Sequence, residues 1–266
     1  MSKSDLPFFD TSDFRYTQPP HPSWTYGEPV STTEQGQKWA EEAEQGWKTI
    51  NPSEEDPKLT YRLCTSGIVP RPVAFVSTIS GNGIENLAPF SWFSQVSSNP
   101  CVISIACTSI QRDKDTAENI KATKGFTVNI ISEPWIAQAN SCAIDAPPGV
   151  SEWALSGLTK EPSVSVKPAR VKESAFALEC ELLQNVEIKN AAGEVTSNLI
   201  LGTVTRIHIR NAVLNEEKGV VDTAKLRPIG RLSGNSYVKI KDGFQIPQST
   251  WAQDKEEIEE KLKSSL

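Results

Sequence analysis

RPVAFVSTISGNGIENLAPFSWF, residues 71–93, is the stretch that decides the fold. Its first half, residues 72–79, is rich in β-branched and aromatic side chains, which favour a pleated strand. Gly81-Asn82-Gly83 supplies the positive backbone torsions of a close turn, so the sequence predicts a β-hairpin. The returning segment, residues 86–93, mixes small, polar and flat side chains around a proline that removes a ladder hydrogen bond. It can pack as an irregular edge strand, or it can let a planar ligand lie against its backbone.

The composition excludes several classes of protein. The chain has 266 residues, of which 38% are hydrophobic and 23% charged, a balance typical of soluble globular proteins. A formal charge of −6 without a concentrated basic patch argues against nucleic-acid binding. No apolar run approaches the ~20 residues of a membrane helix, and the N-terminus lacks a signal-peptide core. We therefore expect a cytoplasmic protein with no membrane or nucleic-acid partner.

Cysteine and histidine usage gives no sign of a metal centre. The five cysteines are widely spaced and form no C-x-x-C pair, so we interpret them as reduced, mostly buried thiols. The two histidines, His21 and His208, are far apart in the chain. A histidine-rich metal site is therefore not predicted.

The chain divides into three predicted segments. Residues 1–57 are an N-terminal extension, with an arm rich in proline and aromatic residues and a short helix that Thr33 can cap. The arm can cover the site or a subunit interface, or it can be a loosely held tail. Residues 58–240 form the main domain, and residues 241–266 form a tail with a charged helix. The apolar stripe of the N-terminal helix comprises Trp39, Ala43 and Trp47.

Strand signals begin at Leu59 and recur through the main domain. The strands are expected at residues 72–79, 101–107, 125–131, 176–189 and 198–210. Helices are expected to start near Asp115, which can cap its helix, and at Pro134. Along the last strand, strict alternation places His208 on the face away from Ile207, at solvent or at an interface rather than in a catalytic site. The long irregular loop at residues 145–158 can be a lid or a simple crossover.

The motifs of several enzyme classes are missing. There is no G-x-S-x-G of a serine hydrolase and no P-loop, and the glycines at 81 and 83 lack the third glycine and the helix of a dinucleotide fingerprint. No acid/base carboxylate pair can be named. Anion binding is better supported, because Lys114, Asp115 and Thr116 begin a helix whose free N–H groups and dipole suit a phosphate. Ser77 and Thr78 can add hydroxyl donors. The same features also fit an ordinary helix N-terminus.

Taken together, these residues resemble the flavin reductase-like, FMN-binding split-barrel family. The resemblance runs in order through about residues 59–240. Its motifs lie at residues 70–78, 83, 86–91, 97–100, 114–116, 151–159, 176–180 and 226–231. What it implies is a mainly β fold, a six-stranded antiparallel split barrel with peripheral helices, usually a homodimer with the flavin near the interface.

The resemblance also implies a cofactor site and an activity. FMN is expected, FAD is possible, and NAD(P)H is the expected reductant, with hydride passing to the flavin and electrons to an acceptor. No side chain is assigned a catalytic role. The alternatives are a flavin-dependent oxygenase on the same scaffold and a flavin-binding electron carrier without NAD(P)H turnover. The expected cofactor-binding residues are Ser77, Thr78, Asn86, Ala88, Pro89, Phe90, Ser91, Trp92, Ser109, Lys114, Asp115, Thr116 and Arg231.

Overall fold

The structure is a computed structural model that describes residues 6–109, 112–147 and 149–264. Its strands are β1 (Arg15–Thr17), β2 (Ala74–Ile79), β3 (Glu85–Phe90), β4 (Phe93–Ser98), β5 (Cys101–Thr108), β6 (Gly125–Ile130), β7 (Lys160–Glu161), β8 (Arg170–Val171), β9 (Phe176–Lys189), β10 (Val195–Ile209), β11 (Leu214–Asn215), β12 (Val220–Val221), β13 (Ile229–Arg231), β14 (Tyr237–Lys239) and β15 (Asp242–Phe244). Its helices are α1 (Glu34–Glu42), α2 (Pro57–Gly67), α3 (Asp115–Thr123), α4 (Ile136–Ser141), α5 (Trp153–Ser156), α6 (Thr223–Leu226) and α7 (Trp251–Ser264). Short 3₁₀ turns lie at Val30–Thr32, Ala43–Gln45, Glu133–Trp135 and Asn211–Val213.

The main domain is built on one sheet of seven antiparallel strands in the order β3-β2-β6-β9-β10-β5-β4. Its two edges, β3 and β4, are separated in the chain only by Ser91 and Trp92. So short a connection requires the edges to lie side by side, and the sheet therefore curls into a barrel that is split between them. The Trp92 carbonyl accepts a hydrogen bond from the Ala106 N–H of β5 at 2.9 Å. The predicted antiparallel split barrel is confirmed, with seven strands where six were expected.

Most of the expected strands occur close to their predicted bounds. The hairpin of β2 and β3, the buried strand β5, and the long strand β9 all match the sequence pattern, while β10 starts slightly earlier than expected. β4 was not predicted, because its alternation of exposed polar residues carries little apolar signal. The expectation of strand from Leu59 is wrong, since residues Pro57–Gly67 form helix α2.

The hydrophobic core has two parts, on opposite faces of β2. Ala74 and Val76 point into the barrel and belong to a fully buried cluster that includes Phe126. Phe75 points outward and packs against Trp135 at the start of α4, with ring centroids 5.6 Å apart. A fully buried side chain of this size contributes about 1.5–3 kcal/mol to stability. The period-two alternation of β2 therefore fixes both the barrel interior and the outer helical layer.

β10 crosses the barrel core at Gly202, where a side chain has no room. A Cβ at this position would lie 2.4 Å from the Cζ atom of Phe126. Because Phe126 is completely buried, its ring cannot move aside cheaply. Gly202 therefore permits the close approach of β10 to the aromatic centre of the core.

An irregularity in β10 corrects the expected orientation of His208. The register of β10 against β9 shifts between Val204 and Arg206, which is a β-bulge. The predicted strict alternation consequently fails. Ile207 is 53% exposed, and the His208 Nε2 atom lies 2.6 Å from the Oε1 atom of Glu179. His208, whose side chain is 24% exposed, thus contacts a buried carboxylate, whereas strict alternation had placed it on the face toward solvent or an interface.

Glu179 on β9 is buried and heavily hydrogen-bonded. Its carboxylate accepts from the Val164 N–H at 2.8 Å and from the Ser165 hydroxyl at 2.6 Å, besides its contact with His208. Burial alone would raise the pKa of Glu179, but the bonds from Ser165, Val164 and His208 outweigh it and lower the pKa from 4.5 to about 2. The charged carboxylate therefore ties the loop before β8 to the barrel wall.

Among the described residues, those up to Thr60 and from Lys241 onward form one compact unit, and those of Tyr61–Ile240 form the other. In the first unit, β1 pairs in parallel with β15, and the Tyr26 hydroxyl donates to Asp254 at 2.8 Å. Thr33 caps α1 as predicted, by accepting from the Gly36 N–H at 3.0 Å. α1 ends at Glu42, so the predicted apolar stripe does not form a buried face. Its tryptophans, Trp39 and Trp47, are 72% and 93% exposed.

Within the described ranges, the helices are all too short or too polar to cross a membrane.

Candidate functional site

The β2–β3 hairpin positions the first part of the site. Its turn closes with the Gly83 N–H on the Ser80 carbonyl at 3.0 Å, and Gly83 has a φ of +84°, which glycine adopts without strain. In this register Thr78 lies directly opposite Asn86. Because side chains of directly paired residues share a face, both point to the same side of the hairpin. Ser77 alternates to the opposite face and is likewise buried.

Helix α3 lies against this hairpin through two buried hydrogen bonds. The Asn86 Nδ2 atom donates to the Thr116 Oγ1 atom at 2.9 Å, and the Asn119 Nδ2 atom donates to the Thr78 Oγ1 atom at 2.9 Å. All four side chains are buried. Buried polar groups are rarely left unpaired, and these satisfy each other. The structure therefore brings together the hairpin and the helix start that the sequence singled out, with Thr78, Asn86 and Thr116 at their contact.

The start of α3 differs in one detail from the prediction. Lys114 is the N-cap residue, in extended conformation, and Asp115 is the first helical residue. The predicted cap by Asp115 is therefore wrong; its carboxylate instead pairs with Arg112 at 2.5 Å. Lys114 Nζ lies 3.1 Å from the exposed carboxylate of Asp145. The first N–H groups of a helix have no intrahelical partner, so this end offers backbone donors beside a solvent-accessible lysine.

Ser109 and Asp113, which lie between β5 and α3, belong to a polar network. The Ser109 hydroxyl donates to Asp113 Oδ1 at 2.7 Å, and Asn198 of β10 donates to the same oxygen at 2.9 Å. Lys121 pairs with the other oxygen at 2.5 Å. Hydrogen bonds from Lys121 and then Ser109 lower the pKa of Asp113, so this carboxylate is ionised at neutral pH. Residues 110 and 111, between Ser109 and Arg112, lie outside the described ranges.

The second half of β3 presents its side chains to two different surfaces. Ala88 shares a face with Asn86, and Phe90 packs against the barrel core. Pro89 and Ser91 alternate to the other side. Trp92 is 40% exposed, with its ring 6.3 Å from that of Tyr61.

The outer backbone edge of β3 is partly occupied. The Leu87 N–H donates to the Oε2 atom of Glu152 at 3.0 Å. Residues two apart in an antiparallel strand present their backbone groups to the same edge, and Pro89 has no N–H to offer there. Glu152 and its neighbour Trp153 are both buried, so this end of the loop at 145–158 is a fixed wall beside β3. Residue 148 of that loop lies outside the described ranges.

Arg231 lies on β13, apart from the α3 end of the hairpin. Its guanidinium stacks over the ring of Tyr237 at 4.4 Å and donates to the Gly234 carbonyl. Together with Pro89 and Ser91 it lines a cavity of about 140 Å³. Of the predicted residues, Thr78, Asn86 and Thr116 thus meet at the hairpin–helix contact, and Pro89, Ser91 and Arg231 line this cavity.

Sequence reasoning missed four residues that shape these groups: Asn119, Asn198, Glu152 and Arg71. Isolated asparagine and glutamate residues carry no distinctive local pattern in a helix, strand or loop, and only the tertiary contacts reveal them. Arg71 was quoted within a motif but given no role. In the described part of the chain, no group of three or more histidine, cysteine, aspartate or glutamate side chains is placed to hold a metal ion.

The central part of the chain matches a known protein family. The model of the flavin reductase-like domain matches residues 66–229, which is more than half of the chain. The chain belongs to this family. This flavin reductase-like protein is 36% identical over 190 residues to the uncharacterized protein YwrF of Bacillus subtilis, covering 71% of this chain and 93% of YwrF.

Two solved structures are similar to this chain in sequence as well as in fold. Nitrilotriacetate monooxygenase component B from Bacillus cereus is 33% identical, with a TM-score of 0.73, covering 76% of this chain and 99% of that protein. The 2-nitrobenzoate 2-nitroreductase NbaA of Pseudomonas fluorescens is 26% identical, with a TM-score of 0.69, covering 77% and 98%. This flavin reductase-like protein therefore shares nearly the whole length of both.

The residues present fit a flavin mononucleotide. A phosphate needs donors and positive charge, and the start of α3 offers N–H groups and Lys114, whose exposed pair with Asp145 is weak enough to exchange. Thr116 accepts from Asn86, which leaves its own hydroxyl hydrogen for another acceptor. The small side chain of Ala88 and the aromatic Trp92 suit a flat ring nearby.

Proposed function

We propose that this protein is a flavin-dependent oxidoreductase that takes hydride from NAD(P)H and passes the electrons to an acceptor. The observation that carries the proposal is the pair of buried hydrogen bonds joining the hairpin to the start of α3. They hold a flat strand and a helix N-terminus in fixed relation, as a ligand with both a planar ring and a phosphate requires. Membership of the flavin reductase-like family supports it.

FMN is the proposed cofactor, because the start of α3 offers N–H groups and a lysine to its phosphate. FAD, which also carries phosphate, is the alternative. In this proposal Lys114 and the N–H groups of Asp115 and Thr116 bind the phosphate, with Ser109 beside them. Asn86 and Thr116 keep the two parts in register. Residues 88–92 would hold the ring, and the partly exposed side chain of Trp92 would exclude water from one side of it.

The redox chemistry itself belongs to the bound flavin, which accepts hydride and releases electrons. The chain's own contribution is to bind, orient and shield. No described side chain needs to transfer a proton for this role, which agrees with the lack of an acid/base carboxylate pair in the sequence.

The proposal extends to domain organisation and assembly. Residues 58–240 would bind the flavin, with residues 1–57 and 241–266 as flanking segments of a cytoplasmic homodimer. The edge of the sheet at β4 offers an apolar surface to a second copy of the chain. Val96 on β4 is 53% exposed, and Trp92, directly before β4, is 40% exposed. Exposed apolar groups on an edge strand are typical of surfaces that another chain covers.

Anaerobic mixing of the flavin-loaded protein with NADH and with NADPH tests the activity. A reductase bleaches the flavin absorbance with at least one nucleotide, and the faster one identifies the preferred reductant. No bleaching with either would leave an electron carrier and refute the reductase proposal. The two solved relatives are a monooxygenase component and a nitroreductase, so oxygen consumption and nitroarene reduction should be followed in the same samples.

A further inference from the structure

Arg71, three residues before the start of β2, is a buried cation to which the described residues offer no counter-charge. Its side chain is only 8% exposed. None of its hydrogen-bond acceptors is charged. They are the carbonyls of Thr65 at 2.5 Å, Ile68 at 2.8 Å and Leu232 at 2.9 Å, and the Ser91 hydroxyl at 3.3 Å.

These contacts hold the guanidinium without neutralising it. The carbonyls at the C-terminal end of α2 stabilise a cation through their partial charges. They carry no net charge, however, and a buried charge without a partner is costly. A guanidinium has five N–H donors, and the four bonds of Arg71 leave one of them for a further acceptor.

A second cation stands beside the first. The Arg71 N–H donates to the Arg231 carbonyl at 3.0 Å, and the Arg231 N–H donates back at 2.8 Å. Residues paired in this way place their side chains on the same side. Both side chains line the cavity of about 140 Å³, and no described carboxylate forms an ion pair with either. Two uncompensated arginines facing one cavity make it an anion site.

The anion site opens toward a larger apolar compartment. A cleft of about 530 Å³ shares Ala143 and Tyr237 with the smaller cavity. This size lies within the range of small-molecule sites. Its remaining walls are mainly the apolar side of α4 and two amides, namely Ile136, Ala137, Asn140, Ile144 and Asn235. The Tyr237 hydroxyl is held by Asn140 at 2.9 Å, between the two compartments.

We propose that this cleft binds a small apolar carboxylate, with the carboxylate between Arg71 and Arg231 and the apolar body against α4. Bidentate pairing with a guanidinium suits a carboxylate, and a volume near 140 Å³ accommodates such a group. Pro89 and Ser91 of β3 line the same cavity, so the occupant lies beside the strand assigned to the flavin ring. Its role as the electron acceptor rests on the proposed function; its binding does not.

This site is distinct from the proposed phosphate site. The phosphate is assigned to the start of α3, on the face of β3 that carries Asn86. Pro89 and Ser91 alternate to the opposite face. Arg231 therefore binds the carboxylate of the acceptor in this proposal, and it does not contact the flavin.

Calorimetric titration of the full-length protein with benzoate tests the proposal, with neutral benzamide as the matched ligand. Benzoate is expected to bind more tightly than benzamide. Arg231→Gln is expected to weaken benzoate by roughly tenfold or more, the loss of one charge-assisted bond, and to leave benzamide unchanged. Arg206→Gln, the same change at an exposed arginine of β10, is expected to leave both unchanged. Arg231→Lys should restore part of the benzoate affinity.

Four results would overturn the proposal: no benzoate binding, equal binding of benzoate and benzamide, equal losses in the two glutamine variants, or weaker FMN binding in Arg231→Gln. The last would return Arg231 to the cofactor. Flavin content and bleaching by NAD(P)H are measured on the same samples. Benzoate binding without flavin reduction would refute the proposed function alone, and reduction without benzoate binding would refute this inference alone.

Discussion

The buried bond between Asn86 and Thr116 should couple the hairpin to α3 in a measurable way. Asn86→Leu and Thr116→Val replace each side chain by an apolar one of similar shape. Each single substitution leaves the partner's buried polar atom unsatisfied, since both residues are at most 5% exposed. That costs about 1–3 kcal/mol of unfolding free energy. In the double variant neither polar atom remains, so its loss should be smaller than the sum by about 1–3 kcal/mol.

Urea unfolding of the four proteins gives this coupling energy directly. Thr123→Val is the control, because Thr123 lies at the other end of α3 and, among the described residues, its hydroxyl bonds only to the Asn119 carbonyl at 2.9 Å. The ratio of FMN to riboflavin affinity is the second readout. This affinity ratio should fall in Thr116→Val, which removes the hydrogen bond between Asn86 and the start of α3, and it should stay constant in Thr123→Val. Additive losses within about 0.5 kcal/mol, or equal changes of the ratio in both variants, would refute the reasoning.

Three further predictions concern charge, packing and pH. Lys114→Ala should weaken FMN by roughly threefold to tenfold and riboflavin hardly at all, since only FMN carries the phosphate; equal losses in flavin titrations would remove the lysine from the site. Gly202→Ala should destabilise the protein by about 1–3 kcal/mol in urea unfolding, because its Cβ would meet Phe126, whereas Gly81→Ala, with open space around it, should be nearly neutral. Hydrogen bonds lower the pKa of Glu179 to about 2 despite its burial, so the ionised carboxylate stabilises the fold above pH 4.5. This contribution to the free energy of unfolding is lost as the pH falls toward 2. Across that interval, the unfolding free energy of the wild type should therefore fall by on the order of 3 kcal/mol more than that of Glu179→Gln in urea unfolding. Equal losses in the two proteins would contradict this role of Glu179.

The sequence predicted those parts of the fold that depend on local pattern. β-branched alternation marked β2, the glycines marked its turn, and the apolar run 101–107 marked β5. These signals are strong because each is repeated over several neighbouring residues. The contact between the hairpin and α3 was expected from the resemblance to a family, since no local rule brings Asn86 next to Thr116.

The failures have identifiable physical causes. Strict alternation misplaced His208, because the bulge near Val204 adds a residue that no pattern announces. Asp115 has the chemistry of a cap, yet it lies one residue inside the helix and pairs with Arg112. Arg71 was overlooked because its significance lies in the absence of a charged partner. That property depends on its burial, which the sequence does not reveal.

The central claim is that this chain holds a flavin mononucleotide between the hairpin and the start of α3. Titration of the flavin-free protein with FMN and with riboflavin, followed by flavin fluorescence, tests it most directly. The account predicts saturation at one FMN per chain and clearly weaker binding of riboflavin, with the difference reduced in Lys114→Ala. No change of fluorescence with either flavin, or equal affinities that Lys114→Ala leaves equal, would contradict it.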